Sequence, residues 1–228
     1  MRTLVIISSH KLDRVHRPNI EILRDYFKDA DFCAISNEDD FHNYEDIVTF
    51  KYKIINPKKQ MSKICDFISD HRPDYHFFVK CRPDVKLLEP IDFNQIDKYA
   101  INARARVYWG PKQIKYGNSV NGKGIWDNIG DCYYDDIERT VVLDDMLYIF
   151  HKKVVKRGAF DKLLSEDSMQ TKWFHSRVTR QNEWFHTQVF DERNIKLNII
   201  GINLIFTKND TYSGDINYIK KFITNNSR

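Results

Sequence analysis

The sequence predicts an α/β fold, with a mainly parallel central sheet flanked by helices. Leu4 to Ser8 is a continuous run built on the β-branched Val5, Ile6 and Ile7, and Tyr75 to Cys81 is a second, mostly apolar run; both are bounded by polar residues, as in parallel strands buried on both faces. Between them, Ile20, Leu23 and Phe27, then Met61, Ile64, Cys65 and Ile68, recur at helical spacing. The order is strand–helix–strand twice over, which predicts a single sheet with right-handed crossovers.

The remaining elements follow in turn. Pro18 suits the first turn of a helix over Asn19 to Phe27. Asp31 to Ile35 reads as a second strand and Ile47 to Ile55 as a third extended stretch. The second helix stops before Pro73. Tyr108 to Asp136 mixes Gly, Asn, Asp and aromatics without a period, and it holds most of the 8 glycines; it reads as a long functional loop. Val141 to Phe150 reads as a strand, Lys153 to Leu164 and Gln181 to Glu192 as helices, Lys196 to Phe206 as a long strand, and Tyr218 to Ile223 as a short terminal helix. With 228 residues and no repeat, these elements predict one domain over 1–228.

Composition narrows the function. A net charge of +4 is too small for a polybasic nucleic-acid binder, so no nucleic-acid partner is expected. Hydrophobic residues at 42% suffice for a packed core. No apolar run reaches the roughly 18 residues of a membrane span, and Leu4 to Ile7 is too short for a signal-peptide core. A cytoplasmic protein is expected. Cys33, Cys65, Cys81 and Cys132 form no Cys-x-x-Cys pair and read as free, mostly buried thiols. Walker A and Gly-x-Ser-x-Gly sequences are absent, and the 8 histidines show no His-x-x-x-His pair.

Ligands of open α/β sheets bind beyond the carboxyl ends of the strands. Ser8 and Ser9 follow the first strand, and Arg82-Pro83-Asp84 follows the fourth. The triplet reads either as a solvated strand end, with Arg82 paired to a nearby acid, or as a site where Asp84 holds a divalent cation with Lys80 or Arg82 near phosphate. One carboxylate is enough for Mg²⁺ or Mn²⁺ when phosphates and water supply the other oxygens. His151-Lys152-Lys153, with Lys156 and Arg157, reads either as a solvated face or as a contact with a phosphate-bearing acceptor or an anionic membrane.

Two stretches carry a resemblance: Ile55-Asn56-Pro57-Lys58-Lys59-Gln60-Met61-Ser62-Lys63, and Tyr75 through Lys80-Cys81-Arg82-Pro83-Asp84 to Leu87. Together they resemble the N-terminal half of GT-A-type glycosyltransferases, in particular the WavE-like group of surface-glycan enzymes. Arg82-x-Asp84 stands where most GT-A enzymes carry Asp-x-Asp. Asp144-Asp145-Met146-Leu147-Tyr148 is similar to that group's acidic strand entry, and Asn182-Glu183-Trp184-Phe185 to its acceptor-side helix.

The resemblance implies a GT-A-like, Rossmann-like domain. About residues 1–100 would bind a nucleotide-sugar donor and about 101–228 a glycan or lipid-linked acceptor. Asp84 would hold Mn²⁺ or Mg²⁺. Lys63, Lys80 and Arg82 would meet phosphate or ribose, Ser8 and Ser9 the base and ribose, and Gln60 would start an anion-favouring helix. Glu183 and Asp145 are the candidate general bases. The two side chains of Asp144 and Asp145 should alternate if they lie on a regular strand, with one facing the cleft. Trp109 and Trp126 are the aromatic candidates for sugar contact on the acceptor side, together with Asp144. His175 or His186 could add a metal ligand. Apart from the resemblance, the basic run from His151 to Arg157 makes a peripheral membrane contact a further expected partner. The rival expectation is an α/β module that binds glycan or nucleotide without transfer.

Overall fold

β1 (Thr3–Ser9) is buried along all but its last residue. A strand so enclosed must sit inside the sheet, and it does. The computed structural model describes residues 2–9, 11–54, 60–71, 74–111, 137–155 and 195–206. Among the described residues, seven strands form one mixed, mostly parallel sheet in the order β3-β2-β1-β4-β7-β6-β8. The strands are β2 (Asp31–Ser36), β3 (Phe50–Lys53), β4 (Phe77–Cys81), β6 (Ala100–Pro111), β7 (Ile137–His151) and β8 (Lys196–Ile199). Only β7 runs against its neighbours: β4 pairs with it from Phe77↔His151 to Cys81↔Leu147, and β6 also meets it antiparallel.

Helices cover both faces. α1 (Arg17–Tyr26) has Pro18 in its first turn and buries Ile20 and Leu23. These pack with Val5, Ile7, Phe32, Phe77, Val79 and Ile149. The opposite face carries Ile6, Cys33, Phe78 and Phe150, the next residues in the strand alternation. Phe78 stacks on Phe150 with centroids 5.6 Å apart. Burial of each such ring contributes about 1.5–3 kcal/mol. α2 (Gln60–His71) covers this face, with Phe67 edge-on to Phe50 and Tyr52 of β3. It ends before Pro73, as its sequence requires.

Several expectations change. Tyr108 to Pro111 is strand, not loop, because β6 continues its ladder with β7 out to Pro111↔Ile137. Accordingly β7 begins at Ile137, four residues before the expected Val141. Among the described residues of Ile47 to Ile55, Phe50–Lys53 is strand and Ile47 to Thr49 is not; the amides of Ile47 and Val48 turn back onto the Tyr44 carbonyl. The expected strand from Lys196 to Phe206 is two strands in two sheets. β8 ends where the Ile200 amide meets the Ala103 carbonyl, and β9 (Leu204–Phe206) pairs instead with the short β5 (Val85–Leu87). The break holds Gly201, a residue that weakens a strand interior. α3 is described over Lys152–Val155. The rest of that expected helix, the helices over 181–192 and 218–223, the segment 112–136 and Cys132 lie outside the described residues. Cys33 and Cys81 are buried and free, as expected.

Candidate functional site

The chain leaves β1 toward β2 and β3 on one side, then crosses to β4 on the other. The switch point is therefore between β1 and β4, where open α/β sheets form a crevice beyond the strand ends. The β1–β4 ladder ends at Ile7↔Cys81, so Ser8 and Arg82 leave it side by side. Ser8 is buried, and Ser9 is half-buried with its hydroxyl accepting from the Lys11 amide at 3.4 Å.

Lys80 is 5% exposed, a cation drawn into the sheet one residue before this end. It aligns with Ile6 and Tyr148 in the ladder, and its ammonium stands 5.4 Å from the Tyr148 ring centre. That contact softens the desolvation of a buried charge. Arg82 and Asp84 form a two-pronged pair, Nε to Oδ1 at 3.0 Å and Nη2 to Oδ2 at 2.6 Å. Of the two readings of the triplet, Arg82 pairing a nearby acid is thus present in the geometry.

The turn itself is anchored. Asn19 of α1, buried, donates its amide to the Pro83 carbonyl at 3.0 Å. The Arg82 amide donates to the Met146 carbonyl at 3.0 Å. This bond sets the backbone of Asp144-Asp145 beside the Arg82–Asp84 turn. At the same place the β6–β7 register jumps, from Ala103↔Tyr148 to Ala105↔Leu143. Residues 144–147 therefore oppose Arg104 alone. Asp144 and Asp145 fall within this bulge; bulges recur beside active sites.

The wall next to Ser9 is built by an acid the sequence reading passed over. Asp40 is buried and accepts hydrogen bonds from the Leu12 amide and, at 3.0 Å, from the Ser36 hydroxyl. Asn43 holds the Leu12 carbonyl at 3.0 Å and Tyr44 the Asp13 carbonyl at 2.7 Å. The loop after β1 is thus fixed at three points by the segment after β2. Arg104 was also missed. It is 2% exposed and donates to the Leu204 carbonyl at 3.2 Å and the Met146 sulfur at 3.6 Å. A charged residue between the small apolar residues Ala103 and Ala105 was its signal.

Other candidates are spread more widely. Gln60 is the first residue of α2 and Lys63 stands in its first turn, after the carboxyl end of β3, two strands from β1. Trp109 lies opposite Arg139, far along the β6–β7 ladder beyond the last β4 pair. Glu183, Trp126, His175 and His186 lie outside the described residues. Cys81 is no nucleophile candidate, since burial pushes its thiol up to about 12.

For a cation, Asp84 is the available donor at the turn. Among the described residues no three His, Cys, Asp or Glu side chains gather as a ligand set. A carboxylate oxygen can accept more than one bond, so the Arg82 fork does not by itself bar Asp84 from a cation. A hard cation that takes its other oxygens from phosphate and water fits that donor. Among the described residues, no helix is long and apolar enough to cross a membrane. Comparison with protein-family models and with curated proteins finds no match for this chain.

Proposed function

We propose that the chain is a nucleotide-sugar-dependent glycosyltransferase of GT-A-like architecture. The observation that carries this reading is the placement of Ser8, Lys80, Arg82 and Asp84 at or next to the carboxyl ends of β1 and β4, at the switch point and beside the backbone of the Asp144-Asp145 bulge. Two cations and one acid at a crevice suit a diphosphate and its counter-ion. About residues 1–100 would hold the donor and about 101–228 the acceptor.

Lys80 and Arg82 bear on the diphosphate, with Lys63 and Gln60 approaching from α2. Ser8 and Ser9 meet the base and ribose. Asp84 would hold Mn²⁺ or Mg²⁺, which supplies charge neutralisation of the leaving diphosphate. An acceptor hydroxyl oxygen bonds to the anomeric carbon. The bond from that carbon to the diphosphate oxygen breaks, and the nucleoside diphosphate leaves with the electron pair. The hydroxyl proton passes to a general base, Asp145 or Glu183. Trp109, Trp126 and Asp144 serve the glycan or lipid-linked acceptor. The reaction is placed in the cytoplasm, with no nucleic-acid partner.

The Arg82–Asp84 pair favours a second reading, a module that binds the nucleotide without transfer, because the acid is already engaged. One experiment separates them. Thermal shifts are measured for nucleoside diphosphates and nucleotide sugars, with Mn²⁺ or chelator, on wild type and Asp84→Asn, alongside donor hydrolysis. A metal-dependent shift lost in Asp84→Asn, with slow hydrolysis, supports the transferase. A shift without hydrolysis supports the module. No shift from any nucleotide in a folded protein overturns both.

A further inference from the structure

The amino edge of the sheet, opposite the crevice, gathers cations from three neighbouring strands. His76 precedes β4, Lys98 and Tyr99 precede β6, and His151 to Lys153 close β7. The strands bring them together: Phe77 pairs with His151, and the Lys152 amide donates to the His76 carbonyl at 2.9 Å. Lys153 donates to the Tyr99 hydroxyl at 3.0 Å and lies 4.7 Å from its ring centre. Tyr99 is 47% exposed; His76, Lys98 and Lys153 are exposed and Lys152 half-buried. The nearest acid in sequence, Asp97, is paired with Lys196 at 2.7 Å. Farther along the edge, Asp31 is paired with Arg2 at 2.9 Å, and Asp74 acts on Arg2 and Tyr75. Lys98, Lys152, Lys153 and His76 all act on His151, which burial first and these charges second hold below the usual histidine range. In sequence the cluster continues into Lys156 and Arg157.

We propose that this edge, Lys98, Tyr99, Lys152 and Lys153 at its centre, docks the protein on an anionic lipid surface. Lysines carry point charges on long flexible stems, suited to a diffuse field of headgroups rather than to a fixed phosphate geometry. An exposed tyrosine among them matches the headgroup level, where its ring and hydroxyl are both satisfied. Docking here leaves the crevice at the far edge of the sheet, open to a water-borne donor.

The test is sedimentation with phosphatidylcholine vesicles and with mixed phosphatidylcholine–phosphatidylglycerol vesicles at low salt. Wild type should bind the mixed vesicles and not the neutral ones. Near an anionic surface each lysine contributes about 1 kcal/mol. The triple change Lys98→Gln, Lys152→Gln, Lys153→Gln should therefore weaken binding on the order of 100-fold. Lys98 and Lys153 are exposed and Lys152 is half-buried; an unchanged melting curve verifies folding. Tyr99→Ser should weaken binding further. Equal binding to neutral vesicles, no binding to either kind, or full binding by the triple variant overturns the proposal. Tighter association with duplex RNA than with mixed vesicles at the same salt also overturns it, in favour of a nucleic-acid surface. None of these outcomes depends on nucleotide binding, so the proposal and the transferase reading fail separately.

Discussion

Arg82 holds Asp84 by both arms of its guanidinium, at 3.0 Å and 2.6 Å, across a turn whose middle carbonyl is pinned by Asn19. The pair is roughly two-thirds buried or more, so water screens it only in part. The fork orients Asp84 and fixes the guanidinium beside it. In the proposed donor site, a ligand phosphate would meet a cation already fixed in place.

Arg82→Lys tests the fork, since it keeps the charge and loses the planar two-pronged geometry. Affinity for a nucleoside diphosphate should fall on the order of tenfold, close to the worth of one charge-assisted hydrogen bond. Melting temperature should change little. Calorimetric titration measures both affinity and stoichiometry. Unchanged affinity would place the phosphates away from Arg82.

Arg104 ties β6 to the bulge of β7 and to β9 through the Met146 sulfur and the Leu204 carbonyl. Arg104→Met removes the donors and leaves that buried carbonyl without the Arg104 bond. A loss of about 1–3 kcal/mol is expected, read from the urea midpoint at constant slope. If the midpoint does not move, the bulge is held by the β6–β7 ladder alone.

Much of this architecture was legible in the residues, and the failures share a cause. β1 and β4 announced themselves because strands enclosed on both faces are mostly apolar, Lys80 being the charged exception in β4. α1 and α2 did so by their period. Periodicity reports which face is buried, not which strand lies alongside. Hence Lys196 to Phe206 read as one strand although its hydrogen bonds change sheet near Gly201. Hence also Tyr108 to Pro111 read as loop, their strand form resting on pairing with Ile137 to Thr140. At the site, strand ends identified Ser8, Arg82 and Asp84. The mutual pairing of Arg82 with Asp84, the Asp144-Asp145 bulge and Asp40's hold on Leu12 depend on chain segments meeting in space. No local pattern encodes them.

Cys81 is the last β4 residue paired with β1, yet it should be chemically silent. Its thiol is buried and held up to about 12, burial being the main cause, so thiolate is scarce at neutral pH. Cys33 is raised by burial as well. In a timed reaction of native protein with a disulfide reagent, neither should modify faster than the protein unfolds, and both should react at once in denaturant. Rapid native labelling of Cys81, located by mass spectrometry, would mean the crevice opens to it.

Asp31 joins the start of β2 to the segment before β4, accepting from the Tyr75 hydroxyl at 2.7 Å and from Arg2 at 2.9 Å. The Tyr75 bond first, and Arg2 second, hold its carboxyl below the usual range. A carboxylate with a lowered folded value adds stability above its unfolded value and loses it as pH falls through the folded one. Tyr75→Phe removes the larger cause while keeping the ring beneath Arg2. At neutral pH the variant should be less stable by about 0.5–1.5 kcal/mol. The gap should narrow as pH falls below about 4, the ordinary carboxylate value, because protonated Asp31 no longer favours the tyrosine donor. Urea midpoints of both proteins from pH 7 to strongly acidic buffer measure it. A gap that stays constant across that range would show that the hydroxyl stabilises the fold through some group other than the Asp31 carboxylate.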